Sequence, residues 1–175
     1  MKTLIVIDMQ KDFIDGALGT PEAVAIVPNV KRKIEEYVRC GGEIIFTRDT
    51  HGADYLETAE GRSLPVAHCI RGTDGWQIPA ELDLPEREHI DKPNFGWKGW
   101  AEKNGEARPA FEEIELVGVC TEICVVSNAL ILKALYPETP ISVDAACCAG
   151  VTPEKHLAAI EVLKSCQVRV TGEEA

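Results

Sequence analysis

Short apolar runs alternate with amphipathic segments along most of the chain. Six of these runs are typical of strands covered on both faces: 3–8, 43–49, 88–92, 111–119, 140–145 and 166–170. Between them, apolar residues recur at helical spacing at 27–40, 121–135 and 152–165. Strands that alternate with helices predict a parallel sheet. We therefore expect an α/β fold, with a doubly wound, six-stranded, mainly parallel sheet in the order 3-2-1-4-5-6 and helices on both faces.

Terminal residues support two of the three helices. Gly41 and Gly42 stop the first, and Thr152 caps the third with Pro153 at its first position. In the second helix, Thr121 is the predicted N-cap, which leaves Cys124 at the third position of the first turn. That position favours a thiolate, because unpaired N–H groups and the positive end of the helix dipole lie there.

The segment 50–87 shows neither the pattern of a strand nor that of a helix. A loop of this length in a compact domain is usually functional. The chain contains no internal repeat, low-complexity tract or obvious linker. At 175 residues, we expect 1–175 to form a single domain.

Composition narrows the class of protein. Hydrophobic residues make up 45% and charged residues 27% of the chain, and no apolar run reaches membrane-spanning length. The net charge of −11 argues against a nucleic-acid partner. Seven scattered cysteines, an odd number, indicate reduced thiols. We expect a soluble cytoplasmic protein with no membrane partner.

Reactive side chains follow four of the predicted strands. Asp8, Asp49 and Lys92 end the first three, while Cys120 and Cys124 follow the fourth. Ligands of open α/β sheets bind beyond the carboxyl ends of the strands, near the point where strand order reverses. These groups therefore share one rim of the predicted sheet.

A cysteine nucleophile needs a partner that accepts and returns its proton. The helix favours Cys124 as that nucleophile and leaves Cys120 in the connecting turn. Asp8 is a better proton partner than His89 or His156, because a carboxylate desolvated at the end of a central strand can have a raised pKa. Lys92 would supply positive charge. Taken singly, each cysteine could simply be buried, Asp8 could cap a turn and Lys92 could lie on the surface; the conjunction favours chemistry.

The sequence also contains a candidate metal site. Asp49 and His51 form an Asp-x-His pair, and His68 follows the long loop. Such a set can bind a divalent ion and leave positions open for water or substrate. Glu60 is a candidate fourth ligand. The alternative is that these histidines are only solvated.

Together these motifs resemble the isochorismatase-like cysteine hydrolases, in particular the nicotinamidase-related branch. The resemblance spans almost the whole chain through "LIVIDMQKDF", "TRDTH", "HC" with "GT" close behind, the lysine of the third strand, and "GVCTEICV". It implies a catalytic triad of Asp8, Lys92 and Cys124. It also implies an oxyanion hole from the backbone N–H groups of Cys120 and Cys124, beside a cis peptide after Val119.

The same resemblance implies that Asp49, His51 and His68 bind a divalent metal, with zinc the first expectation. The chain departs from the branch in carrying "DTHG" where tryptophan is common, and Pro65 where an aromatic can stack. Phe13, Phe95 and Trp97 are near the predicted rim and could sandwich a flat substrate. The alternative is that the tryptophans cover the core or a subunit interface.

The activity implied by the resemblance is hydrolysis of a small amide C–N bond through a thioester, with nicotinamide as the first expected substrate. A ureido or carbamoyl amide, isochorismate, or a ligand bound without turnover are the alternatives. The resemblance also implies a homo-oligomer.

Overall fold

The computed structural model describes residues 2–103 and 111–173, and its strands form one parallel sheet. The strand order is β3-β2-β1-β4-β5-β6, and every pair is parallel. The predicted fold class and strand order are therefore confirmed. The strands are β1 (Lys2–Ile7), β2 (Glu43–Asp49), β3 (Glu88–Lys92), β4 (Glu113–Val119), β5 (Ile141–Ala149) and β6 (Arg169–Thr171).

Helices cover both faces of this sheet. A π-helical turn at Thr121–Val125 runs directly into the fourth helix, and 3₁₀ turns occupy Tyr55–Glu57 and Lys98–Ala101. Within the described residues, no helix combines the length and apolar character needed to cross a membrane. The helices are α1 (Lys11–Ile14), α2 (Pro21–Arg39), α3 (Ala59–Ser63), α4 (Val126–Leu135) and α5 (Pro153–Ser165).

The central strand β1 contributes to two apolar layers. Leu4 and Val6 pack in the layer that contains α2, whereas Ile5 and Ile7 pack in the layer that contains α4 and α5. All four side chains are fully buried, and each such burial stabilises the fold by about 1.5–3 kcal/mol. This packing fixes β1 between β2 and β4, so the residue after β1 lies where the strand order reverses.

The first long helix begins earlier than the sequence pattern predicted. Thr20 accepts the N–H of Ala23 at 3.0 Å, and Pro21 occupies the first turn. Pro28, which stands near the predicted start, lies inside the helix. The predicted start at residue 27 is therefore wrong, because the cap and its proline stand six or seven residues upstream.

The bounds of four strands also differ from the prediction. β1 covers Lys2–Ile7 rather than 3–8, which places Asp8 just after the strand. β4 starts at Glu113 rather than residue 111, and β5 runs on to Ala149 through an irregularity in its pairing with β4. The last strand covers Arg169–Thr171 rather than 166–170. Cys166 still caps α5, and Gln167 has a φ of +63° that turns the chain before the strand starts.

The 50–87 segment folds back over the carboxyl end of β1. The N–H of Lys11 donates to Gln77 O at 2.9 Å, and the N–H of Cys69 donates to Asp12 Oδ2 at 2.8 Å. These bonds fasten the long loop to α1. They bring the residues around position 68 to the rim that β1 and β2 form.

Candidate active site

Asp8 directly follows the central strand and is fully buried. Its φ of +49° lies in the left-handed region, which aspartate enters more readily than most residues. Its Oδ1 accepts the hydroxyl of Thr47 on β2 at 2.7 Å. Burial raises the pKa of the Asp8 carboxyl, and the positive charge of Lys92 offsets this only in part.

Lys92 ends β3 and is also fully buried. Its Nζ lies 2.6 Å from Asp8 Oδ2, 3.4 Å from Asp49 Oδ1 and 3.5 Å from Cys124 Sγ. Burial alone would lower its pKa, but the charge of Asp8, followed by the effects of Cys124 and Asp49, outweighs burial and raises it. Lys92 is therefore a charged ammonium in contact with both the carboxylate and the sulfur.

Cys124 stands in the π-helical turn and is 4% exposed. Burial, followed by the charge of Asp8, raises the pKa of the thiol well above its ordinary value. The resting thiol therefore carries its proton. Asp8 Oδ2 lies 2.6 Å from Lys92 Nζ and is the carboxylate oxygen that Thr47 does not hold. This oxygen is the candidate acceptor of the thiol proton.

The predicted N-cap role of Thr121 is wrong. Cys120 precedes the helix with extended backbone, and the hydroxyl of Thr121 lies 2.8 Å from Nδ1 of His156 on α5. The π-helical first turn begins at Thr121 itself, so Cys124 is its fourth residue instead of its third. The sequence carries no signal for this, because the partner of Thr121 is 35 residues away.

The Cys120 backbone forms the turn before the nucleophile. The Val119–Cys120 peptide is cis, as the resemblance implied. The carbonyl of Cys120 accepts the N–H groups of Ile123 and Val125 at 3.0 and 3.2 Å. Burial raises the pKa of the Cys120 thiol to about 12, so this thiol does not supply a second thiolate at neutral pH.

Beside the triad, four side chains converge into a group suited to a divalent metal. The ligand atoms of Asp49, His51, Glu60 and His68 lie within 4.8 Å of one another. Asp49 Oδ2 is 2.9 Å from Nε2 of His51 and 3.6 Å from Nε2 of His68, and Glu60 Oε1 is 3.6 Å from Nε2 of His51. The structure thus brings together all four residues of the predicted metal site.

The chemistry of these donors fits such an ion. Nδ1 of His68 is 2.7 Å from the carbonyl of Val66, a bond that holds the proton on Nδ1 and leaves the Nε2 lone pair for a metal. Burial would raise the pKa of Asp49, but the two histidines outweigh it and hold this pKa below its usual range. Two imidazoles and two carboxylates suit zinc and similar divalent ions.

Thr47 and Gln10 are two buried polar residues near the site that the sequence pattern did not indicate as functional. Thr47 holds Asp8, as described above. Gln10 donates from Nε2 to the carbonyls of Asp49 and Trp76, both at 2.9 Å, and its Oε1 accepts the N–H of Asp49 at 2.7 Å. Gln10 belongs to the "LIVIDMQKDF" motif, which could have flagged it. Nothing in the sequence distinguishes Thr47 from an ordinary strand residue.

A narrow cavity of about 170 Å³ opens onto Cys124. Phe13 and Phe95 line it as predicted, but Trp97 does not. Trp97 instead packs edge-on against the buried Trp100, with ring centroids 4.8 Å apart. The lining comprises Phe13, Leu18, Asp49, Glu60, Leu64, His68, Phe95, Cys120, Ile123, Cys124 and Val151.

A larger concavity, about 610 Å³, lies near the amino-terminal ends of the strands, around Lys2, Tyr37 and Arg169. None of the candidate catalytic or metal-binding residues lines it. The smaller, mainly apolar cavity is therefore the candidate substrate site, since Cys124 and three of the candidate metal ligands line it.

Comparison with known proteins identifies the family and agrees with the fold. A zinc complex of pyrazinamidase from Pyrococcus horikoshii superposes with a TM-score of 0.81 at 31% identity, over 97% of this chain and 98% of that one. The nicotinamidase/pyrazinamidase of Mycobacterium tuberculosis is 25% identical over 97% of this chain and 98% of its own length. A probable inactive nicotinamidase of Arabidopsis thaliana is 29% identical over 95% of this chain and 89% of its own. The family model for the isochorismatase domain matches residues 2–175, and the chain belongs to that family.

Proposed function

We propose that this protein is a cysteine-dependent amidohydrolase that converts nicotinamide to nicotinate and ammonia. The observation that carries the proposal is the contact of Lys92 with both Asp8 and Cys124, where Cys124 also lines a small apolar cavity. The nicotinamidase relatives support amide hydrolysis of this substrate.

Acylation begins with the thiol of Cys124. Asp8 accepts the thiol proton while the sulfur attacks the amide carbonyl carbon, and the ammonium of Lys92 stabilises the negative charge that develops at the sulfur. The backbone N–H groups of Cys120 and Cys124 would hold the resulting oxyanion. The C–N bond then breaks, Asp8 returns the proton to the departing nitrogen, and ammonia leaves behind a nicotinoyl thioester.

Deacylation uses the same carboxylate in the opposite sense. Asp8 removes a proton from a water that attacks the thioester carbon, the C–S bond breaks, and the proton returns to Cys124 as nicotinate leaves. The raised pKa of Asp8 suits this alternation, since a group that both accepts and donates works best near the ambient pH.

Asp49, His51, His68 and Glu60 would hold a divalent metal, with zinc the first candidate. When bound, the ion supplies Lewis acidity and positive charge at one wall of the cavity. Phe13 and Phe95 line the cavity with Leu18 and Leu64. A flat aromatic ring fits such a surface, because aromatic faces bury large apolar area with defined geometry.

The test is ammonia and nicotinate release from nicotinamide by the purified protein, before and after chelation and again after zinc is restored. We expect release that falls on chelation and returns with zinc, and none from Cys124→Ala. Activity retained by Cys124→Ala would refute the thiol mechanism. No release from the folded, zinc-loaded protein would refute nicotinamide as substrate.

A same-fold hydrolase of ureido or carbamoyl amides is the alternative, and an N-carbamoyl amino acid in the same assay separates the two. The four-residue metal-binding group favours the nicotinamidase reaction, because the resemblance associates those histidines with that branch. Isochorismate hydrolysis and a non-catalytic role are the remaining alternatives, and nicotinamide turnover that depends on Cys124 would count against both. Homo-oligomeric assembly and a cytoplasmic location stay predictions, the first of which analytical ultracentrifugation tests.

A further inference from the structure

Asn128 lies on α4, one turn after the nucleophile, and its side chain is fully buried. Its Nδ2 donates to the carbonyl of Cys124 at 2.8 Å and to the carbonyl of Phe95 at 3.0 Å. Its Oδ1 accepts the backbone N–H of Trp97 at 3.0 Å and the indole N–H of Trp100 at 2.8 Å. A carboxamide can form two donor and two acceptor bonds, so the capacity of Asn128 is used in full.

These four bonds join two parts of the active site that are distant in sequence. One bond holds the nucleophile residue, and three hold the segment 95–100 that follows β3. Phe95 forms part of the cavity wall and is 44% exposed. The side-chain amide of Asn128 therefore connects the main chain of Cys124 to the main chain of Phe95, whose ring lines the cavity.

The segment itself packs closely on α4. A Cβ added to Gly96 would lie 2.5 Å from Ile131 Cδ1 and 3.4 Å from Ser127 Cβ, so a side chain there would require the end of Ile131 to move. Just upstream, the carbonyl of Asn94 accepts from Lys92 Nζ at 3.1 Å. A shift of this segment would therefore move Phe95 and disturb a partner of the catalytic lysine.

We propose that Asn128 is a positioning residue that sets the spacing between the Phe95 ring and the Cys124 thiol, and thereby selects flat ring-bearing substrates. The substrate class in this proposal rests on the proposed function, but the effect of the spacing between the Phe95 ring and the Cys124 thiol can be tested without turnover. A misplacement of about 1 Å at a reacting centre can cost about 100-fold in rate, so loss of this bridge should be large enough to detect.

The experiment compares alkylation of Cys124 by iodoacetamide and by 2-iodo-N-phenylacetamide, with the modified cysteine identified by peptide mass spectrometry. The variant is Asn128→Thr, whose hydroxyl can still bond to the carbonyl four residues earlier but cannot reach both sides. We expect the rate ratio of the phenyl reagent to iodoacetamide to fall by about tenfold or more, with a matching rise in KM for nicotinamide.

Leu163→Ala is the matched control, because Leu163 is fully buried in the same apolar layer but lies on α5. It should lower the melting temperature and leave the alkylation ratio unchanged. If Asn128→Thr behaves like Leu163→Ala, with lower stability and an unchanged ratio, Asn128 is only a core hydrogen-bonding residue and the proposal is overturned.

Trp100→Phe provides a gentler perturbation should Asn128→Thr fail to fold. It removes one donor to Asn128 Oδ1 and keeps most of the ring, so the ratio should fall in the same direction but less; an unchanged ratio overturns the proposal. Absence of nicotinamide turnover in the wild type would refute the proposed substrate, while the alkylation ratio would still decide the role of Asn128.

Discussion

Replacing Thr47 by valine tests whether the hydrogen bond to Asp8 tunes the proposed general base. Both side chains are fully buried, and the hydroxyl donates to Asp8 Oδ1 at 2.7 Å. Valine keeps the branched shape that suits β2 but leaves Oδ1 without that donor. Valine also removes the bond from the Asp8 N–H to the Thr47 hydroxyl at 3.3 Å, but that N–H keeps the carbonyl of Thr47 as its partner at 3.2 Å.

A hydrogen bond to a charged group contributes about 1.5–3 kcal/mol, and water cannot replace it at a fully buried site. For a chain of this size the loss corresponds to a fall in melting temperature of about 3–12 °C. The Thr47 hydroxyl lowers the pKa of Asp8 against the larger effect of burial. Its removal should therefore raise that pKa further and move the acid limb of kcat/KM to higher pH.

The sign of the pH dependence follows from the ionised form of Asp8. Because the folded-state pKa is raised, ionisation of Asp8 opposes folding, and stability falls as the pH rises through that pKa. The penalty of Thr47→Val should be largest above the raised pKa and shrink below it. Thermal unfolding across pH and the pH profile of nicotinamide hydrolysis provide the two measurements.

Thr47→Ser is the matched control, since it keeps the hydroxyl and loses a methyl group. The acid limb of its kcat/KM profile should match that of the wild type even if its melting temperature falls. A Thr47→Val protein with wild-type melting temperature and an unmoved acid limb would refute the assignment of Asp8 as a base held by Thr47.

Three other predictions follow from the same geometry. Asp8→Asn should abolish turnover, because it removes the carboxylate that accepts the thiol proton beside Lys92; ammonia release from nicotinamide retained by a folded variant would contradict this. Cys120→Ala should retain turnover, since only its backbone N–H is assigned a role; loss of activity in a folded variant would assign the thiol a part in the reaction. Gly118→Ala should fail to fold, because Gly118 has a φ of +118° and an added Cβ would lie 2.1 Å from Ile7 O; Gly41→Ala, at a φ of +70° with nothing within 4 Å, should cost only about 1–2 kcal/mol in urea unfolding.

The sequence determined the elements of this fold and the rim where its reactive groups meet. Alternation of apolar runs with amphipathic segments is a local property, so it predicted the parallel sheet, and the position of Asp8, Lys92 and Cys124 at strand ends followed. Residue types alone did not determine where the helices begin. Thr20 and Thr121 are equally good caps by residue type, but only Thr20 caps a helix, because Thr121 bonds to His156 on α5.

Only the tertiary structure decided which side chains hold those groups in place. Thr47 and Asn128 act through partners between 4 and 39 residues away, and local pattern carries no information about contacts that chain folding creates. Trp97 is the opposite case. Its position near Lys92 in the sequence predicted that it lines the cavity, but its ring packs against Trp100. Burial at the meeting point of three strands sets the pKa of Asp8 and Cys124, and that desolvation exists only once the chain has packed.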